Sequence, residues 1–234
     1  MRRVLSALFF IVLLASPSFA YEAAYVGPEQ VDLAKLLAPP PAPQSQEQQL
    51  DLEEVLLAQE RRTPQQADRA VADNNTSVYR IAQEVLGPNF TSARVPKFDA
   101  FYKRVVEDTR VVSDASKNTW NRPRPYKVSS AVKMIGELPR TVGSYPSGHS
   151  MRGYMAAIIL ANMAPEKSAG LFGRGREYGM NRVVVGVHFP TDVEGGRIGA
   201  TAITAAFMQN EKYKKDFAEA KAELRQALGL MAAQ

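Results

Sequence analysis

The chain has 234 residues, 45% of them hydrophobic and 23% charged, with a formal net charge of +5 and no cysteine. This length suits one large domain, and the lack of cysteine excludes disulfides, thiolate metal sites and a cysteine nucleophile. The basic residues are scattered along the sequence, which argues against a nucleic-acid partner and is compatible with a small anionic substrate.

Residues 1–20 have the pattern of a secretory signal peptide. Two arginines precede an apolar run over 4–14, and Ser-Phe-Ala at 18–20 predicts cleavage after Ala20. Its removal leaves 27 basic and 24 acidic residues, a net charge of +3. No later segment has the roughly 20 apolar residues of a membrane span. We therefore expect export to the periplasm without membrane insertion of the mature chain; a retained N-terminal anchor is the alternative.

The remaining sequence predicts successive helices and no paired strands. A short helix over 28–37 is followed by APPPAP at 38–43, a proline-rich strap whose residues lack amide donors. Cap residues and apolar spacing then predict further helices over about 45–61, from 63, over 78–86, from 96, over 147–164, 166–184, 191–210 and 212–228. The pattern indicates an all-α, single-domain helical bundle over 45–234, preceded at 21–44 by the short helix and the strap.

The two histidines of the chain lie in unusual settings. His149 follows Pro-Ser-Gly at the start of an apolar helix, where glycine permits close approach and free amides face an anion. His188 lies six residues after Arg182 and four before Asp192, whose carboxylate can hold one ring nitrogen and leave the other free to attack. Taken singly, each segment is explained at least as well by helix capping or by core packing.

Three ordered blocks remove that ambiguity. Lys-x6-Arg-Pro, Pro-Ser-Gly-His and Arg-x5-His-x3-Asp together resemble the signature of the type 2 phosphatidic acid phosphatase superfamily, which includes the vanadate-dependent haloperoxidases. Within it, the exported chain and its proline strap are similar to class A bacterial non-specific acid phosphatases. One departure is Asn181, since the third block usually begins with serine before its arginine. The resemblance implies an all-α bundle of the acid phosphatase and vanadium haloperoxidase type.

The resemblance also implies a reaction. It assigns His188 as the nucleophile that forms a phosphohistidine, Asp192 as the group that holds its imidazole, and His149 as the proton donor and later base. The residues implied to bind phosphate are Lys117, Arg124, Ser147, Gly148 and Arg182. Small phosphate monoesters would be hydrolysed without a cofactor or a metal, because three cations supply the charge stabilisation. An acidic optimum and inhibition by vanadate are expected.

Alternatives remain open from the sequence. The same residues could hold vanadate in a haloperoxidase, although those enzymes are typically much longer. From another class, the protein could be a non-catalytic exported helical module that binds anions. The sequence leaves undetermined the preferred leaving group, the balance between hydrolysis and phosphate transfer to alcohols, and whether a homodimer forms.

Overall fold

The structure, a computed structural model, describes residues 21–141 and 143–230, so the predicted signal peptide lies outside the described residues. Within those ranges the chain forms ten α-helices and no strand, which confirms the all-α prediction. In chain order the helices are α1 Leu33–Leu36, α2 Gln46–Arg61, α3 Pro64–Ala72, α4 Val78–Leu86, α5 Pro96–Trp120, α6 Pro125–Val128, α7 Gly148–Met163, α8 Ser168–Val184, α9 Pro190–Phe207 and α10 Glu211–Ala227. A 3-10 turn, Pro165–Lys167, leads into α8.

Capping side chains start the helices where the sequence predicts. The Ser45 hydroxyl accepts from the Gln48 amide at the start of α2, and Thr63 and Gln66 form a reciprocal capping box at the start of α3. At the other end of α4, Gly87 takes a φ of 94°, which ends the helix.

The predicted helix over 28–37 is wrong in its first half. The structure has turns over 28–30, and only Leu33–Leu36 is helical. The cause is Asp32, whose side chain accepts from the Ala34 amide and so caps a helix that starts at residue 33.

The apolar core surrounds α7. Ten of its 16 residues are buried, and it packs between α8 and α9. On one side of this core, aromatic rings join α10 to α5 and α9; the centroid of Tyr213 lies 5.2 Å from that of Phe101 and 5.3 Å from that of Phe207. This packing fixes the ends of α5, α7, α8 and α9, which carry the predicted site residues.

The segment before α2 lies on the bundle. Asp108, fully buried on α5, accepts from the backbone amides of Ala24, Tyr25 and Val26 at 3.0, 2.7 and 3.1 Å. Further along, the Tyr145 hydroxyl donates to the Ala38 carbonyl at 2.7 Å, at the start of the proline strap. Across the described part of the chain, none of the helices has both the length and the apolar content needed to cross a bilayer.

Candidate active site

The predicted site residues all lie at or next to helix ends. In chain order they are Lys117 in the last turn of α5, Arg124 before α6, Ser147 before α7, Gly148 and His149 in the first turn of α7, Arg182 in the last turn of α8, His188 between α8 and α9, and Asp192 in the first turn of α9. The amino-terminal ends of helices leave backbone N–H groups free and carry positive partial charge. α7 and α9 therefore begin in a way that suits an anion.

A glycine turn brings His188 back towards the end of α8. Gly186 has a φ of 80°, a conformation that other residues rarely adopt, and its amide donates to the Val183 carbonyl at 2.9 Å. The amides of Val187 and His188 then both donate to the Arg182 carbonyl, at 3.1 and 3.2 Å. The local fold therefore fixes the backbone of the predicted nucleophile beside a predicted phosphate-binding residue.

The imidazole of His188 lies between a carboxylate and a guanidinium. Its Nδ1 is 3.3 Å from Asp192 Oδ2, and its Nε2 is 3.3 Å from Arg124 Nη1. Because a guanidinium nitrogen can only donate, the contact at Nε2 requires an unprotonated ring nitrogen there. The proton of the neutral ring then belongs on Nδ1, directed at Asp192, and the lone pair of Nε2 points to the Arg124 guanidinium.

Burial and charge keep this imidazole neutral. Burial is the main cause that lowers the pKa of His188 to about 4, and the charges of Arg124 and Lys117 act in the same direction against Asp192. Burial acts to raise the pKa of Asp192, but its hydrogen bond with His188 and the charges of His188 and Arg122 hold that pKa below its ordinary value. An ionised carboxylate thus faces a neutral imidazole over most of the pH range.

Arg124 is held rigidly beside this imidazole. Its Nη1 donates to the Val187 carbonyl at 2.9 Å, and its Nη2 donates to the Gly143 carbonyl and the Thr141 hydroxyl, both at 3.0 Å. The side chain is buried, so its charge is little screened. A cation held in this way can stabilise negative charge without having to reorganise first.

The start of α7 is tied to α9 and covered by Lys117. The Ser147 amide donates to the Asp192 carbonyl at 2.9 Å, and the Ser147 hydroxyl accepts from the Ser150 amide at 3.3 Å. A β-carbon placed on Gly148 would lie 3.6 Å from Lys117 Nζ, so this ammonium lies over the first residue of α7. Burial, followed by the charge of Arg124, lowers the pKa of Lys117 to about 8. Lys117 is therefore a cation at neutral and acidic pH.

His149, in the first turn of α7, contacts the loop that follows α3 and the ring of Tyr178 on α8. Its Nε2 is 3.4 Å from the Asn74 carbonyl, and its ring stacks on Tyr178 with centroids 5.7 Å apart. Burial lowers the pKa of His149 to about 3, with further lowering by the charges of Arg182 and His188. Those two residues therefore share an electrostatic environment with His149.

Only part of the Arg182 guanidinium is hydrogen-bonded to other protein groups. Its Nη2 donates to the Ala70 carbonyl, while its buried Nε has no hydrogen-bond acceptor among protein groups. The residue also lines a small cavity of about 60 Å³ together with Asn74 and Glu137. A buried donor without a partner carries a desolvation penalty that a bound anion could remove.

Two important residues escaped the sequence analysis. Arg122 is not among the predicted site residues, but its Nη1 donates to Asp192 Oδ1 at 2.6 Å and its Nη2 to Asp51 Oδ2 at 2.7 Å. The Arg-Pro-Arg-Pro repeat at 122–125 was a signal for Arg122. Asp51, in the polar helix α2, had no such signal.

The departure at Asn181 has a structural partner. Its side-chain amide donates to Oδ2 of Asp73 at 2.8 Å, and Oδ1 of the same fully buried carboxylate accepts from Arg174 at 2.5 Å. Asp73 directly precedes Asn74, whose carbonyl faces His149. Asparagine at 181 thus links the end of α8 to the loop that contacts the second histidine.

Comparison with known proteins identifies relatives of this arrangement. The profile described as the PAP2 superfamily matches residues 109–216, which include every predicted site residue. An acid phosphatase of Zymomonas mobilis is 34% identical over 145 residues, or 60% of this chain and 54% of that protein, so the chain spans about half the length of this relative. Non-specific acid phosphatases of Providencia stuartii and Salmonella typhimurium are 28% and 27% identical, over 69% and 87% of this chain and 68% and 84% of theirs.

A solved structure shares the fold. It is a transmembrane PAP2-type phosphatidylglycerolphosphate phosphatase from Bacillus subtilis, 18% identical in sequence, with a TM-score of 0.52 over 77% of this chain and 91% of that protein. The helical arrangement described above therefore also occurs in a transmembrane protein.

Proposed function

Residues 109–216 of this chain are a PAP2 superfamily domain, and from this premise we propose that the protein is an exported acid phosphatase that hydrolyses phosphate monoesters through a phosphohistidine. Its relatives named acid phosphatases support the reaction class. One observation carries the mechanism: His188 has an ionised carboxylate at Nδ1 and an unprotonated Nε2 that faces the buried guanidinium of Arg124, where a phosphate group would bind. Export rests on the sequence pattern over 1–20.

Phosphate binding uses the cations around the start of α7. Lys117, Arg124 and Arg182 neutralise the phosphoryl oxygens, while the Gly148 amide and the Ser147 hydroxyl donate to them. Ser147 uses its oxygen to accept from Ser150, which leaves its hydroxyl proton free for a phosphate oxygen. Such donors, already in place in a partly dry site, stabilise the transition state of phosphoryl transfer.

In the first step, His188 Nε2 attacks phosphorus in line with the ester oxygen. The nitrogen–phosphorus bond forms as the phosphorus–oxygen ester bond breaks, and the bonding pair leaves with the alkoxide. Protonated His149 gives its proton to that oxygen, so an alcohol departs. The imidazole gains positive charge, which the ionised Asp192 at Nδ1 stabilises.

In the second step, neutral His149 takes a proton from water as the water oxygen attacks phosphorus. The nitrogen–phosphorus bond breaks, phosphate is released, and His188 recovers its lone pair. An alcohol that reaches the same phosphoenzyme would give a new phosphate ester, so transfer to alcohols belongs to this proposal. The ratio of the two products in the presence of glycerol measures it.

The proposal predicts an acidic optimum. His149 must be protonated in the first step, and its pKa is lowered to about 3, so the acid form declines as the pH rises above that value in the free enzyme. A bound phosphate dianion adds negative charge nearby and raises the pKa of His149, which extends activity to higher but still acidic pH.

The covalent step can be tested with p-nitrophenyl phosphate. We expect a burst of p-nitrophenol and, after quenching in alkaline denaturant that preserves a phosphoramidate, phosphate on His188. His149→Gln should lower the burst rate less than the steady-state rate, because p-nitrophenol needs little acid assistance to leave. His188→Ala is the negative control. Absence of both the burst and the histidine-bound phosphate in the unaltered protein would disprove the covalent mechanism.

A further inference from the structure

We infer that Arg122 and Asp51 are positioning residues for the proposed reaction. With Asp192 they form a buried ion triad that orients the Asp192 carboxylate towards His188 and carries a net negative charge. The inference rests on the proposed function and deepens it. Asp51 belongs to α2, outside the matched range 109–216, so a helix from the amino-terminal part of the chain would complete the active site.

The three side chains of the triad are in continuous contact and are buried. One guanidinium edge joins two carboxylates, with Nη1 of Arg122 2.6 Å from Asp192 Oδ1 and Nη2 2.7 Å from Asp51 Oδ2. The side chains of Arg122, Asp192 and Asp51 are exposed by 3%, 0% and 4%, respectively. At such burial the charges interact strongly and are little screened by salt.

Neighbouring groups clamp the guanidinium in one orientation. Its Nη1 also donates to the Thr191 hydroxyl at 2.7 Å, its Nη2 donates to Gln48 Oε1 at 2.8 Å, and its Cζ lies 4.2 Å from the centroid of the Phe189 ring. Thr191 in turn donates to Asp51 through both its hydroxyl and its amide. The triad therefore joins α2 to the first turn of α9, which holds Asp192.

This clamp determines which oxygen faces the nucleophile. Arg122 occupies Asp192 Oδ1, while Oδ2 accepts from the Phe189 amide at 2.8 Å and faces His188 Nδ1. With both oxygens fixed, the carboxylate cannot rotate away from the imidazole. The tautomer that leaves Nε2 unprotonated is then favoured.

The carboxylate of Asp51 determines the net charge of the triad. Arg122 paired with Asp192 alone would form a neutral couple, and the imidazole would lose much of its counter-charge. Asp51 adds a second negative charge, so the triad carries a net charge of −1. That charge matches the single positive charge which the imidazole acquires when its Nε2 bonds to phosphorus, and so it favours the phosphoenzyme.

The test compares Asp51→Asn with a matched control, Asp108→Asn. Both substitutions remove a buried carboxylate that accepts hydrogen bonds, but Asp108 holds the amino-terminal segment instead of the active site. For each variant the burst rate of p-nitrophenol, KM, inhibition by phosphate and the melting temperature are measured.

We expect Asp51→Asn to slow the burst by about tenfold, the effect of roughly 1.4 kcal/mol in the barrier. Its KM and phosphate inhibition should change by less than about twofold, because no group that contacts phosphate is altered. Asp108→Asn should lower the melting temperature but leave the burst within about twofold of the unaltered protein. Arg122→Met should slow the burst by about a hundredfold, with partial rescue in Arg122→Lys.

A burst in Asp51→Asn as fast as in Asp108→Asn would overturn the inference and leave the phosphohistidine mechanism intact. Failure of the proposed function is recognised separately, since the unaltered protein would then show no burst and no phosphate on His188. If Asp51→Asn does not fold, Thr191→Val serves instead. It removes one hydroxyl from the clamp and should slow the burst by about threefold at unchanged KM; an unchanged burst contradicts the inference.

Discussion

Replacement of Gly196 by alanine should damage activity far more than stability. Gly196 lies on α9 where that helix crosses the start of α7, and a β-carbon there would lie 2.5 Å from the Ser147 carbonyl oxygen and 2.8 Å from Ser150 Cβ. Ordinary contacts are about 3.5 Å or longer, so α9 must move by about 1 Å. α9 carries Asp192 and α7 carries His149, so the movement would separate the two sides of the proposed site.

The magnitudes can be worked from this overlap. Overpacking costs about 1–3 kcal/mol, and alanine recovers up to about 1 kcal/mol through its higher helix propensity. A net loss of up to about 2 kcal/mol corresponds to a fall of about 4–8 °C in melting temperature for a chain of this size. A 1 Å displacement of catalytic groups costs about a hundredfold in rate. We therefore expect a folded protein whose kcat has fallen by about that factor.

Gly173 provides the matched control. It lies on the exposed side of α8, and a β-carbon there has no atom within 4 Å, so alanine should raise the melting temperature by about 2–4 °C without change in kcat. Both variants are assayed with p-nitrophenyl phosphate and melted by circular dichroism. If Gly196→Ala keeps full kcat, the close approach of α7 and α9 is not what holds the proposed site together.

Three further predictions concern the ionisable groups of the site. His188→Ala should reduce kcat by about 10³-fold or more, and competitive inhibition by vanadate should weaken with it; a variant with near-normal turnover would exclude the assigned nucleophile. The pKa values of His149 and His188 in the folded protein, about 3 and 4, lie below the ordinary value of 6.5. Between about pH 4 and 6.5 the unfolded chain therefore binds more protons than the folded protein. The free energy of unfolding should thus fall as the pH drops from about 6.5 towards 4. Each histidine contributes up to about 1.4 kcal/mol per pH unit, and urea titrations should give a shallower pH dependence for His149→Gln. The affinity for phosphate should decline as the pH rises through about 8, where free Lys117 loses its charge, and Lys117→Met should bind weakly with no such decline.

Much of the fold could be predicted because its signals are local. Caps such as Ser45 and Thr63 and the stop at Gly87 act within a few residues, and the structure has helix ends at each of them. The error over 28–37 has a local cause too, since Asp32 competes as a cap inside a segment whose apolar spacing allowed a longer helix. Apolar spacing indicates that a helix forms, while caps decide where it begins.

The site was predictable only in part, because sequence motifs identify the residues that would contact phosphate more readily than the residues that position them. Lys117, Arg124 and His188 stand in spaced blocks of residue types suited to phosphate chemistry. Asp51 lies 140 residues before Thr191, in a helix rich in glutamine and glutamate, and nothing local distinguishes it from its solvent-exposed neighbours. Its role depends on which helix faces which, and that is settled by tertiary packing.

The proposed chemistry explains why an acid histidine should be placed where its pKa is so low. In the free protein, burial and the charges of Arg182 and His188 disfavour a proton on His149. Arg182, with Lys117 and Arg124, attracts a phosphate dianion, whose two negative charges then offset these cations and raise the pKa of the His149 imidazole. Substrate binding and protonation of the acid are thus coupled, and each must favour the other by the same free energy. A neutral ligand would leave His149 unprotonated, so the cations that bind the substrate would also ensure that the acid is loaded only when phosphate is present.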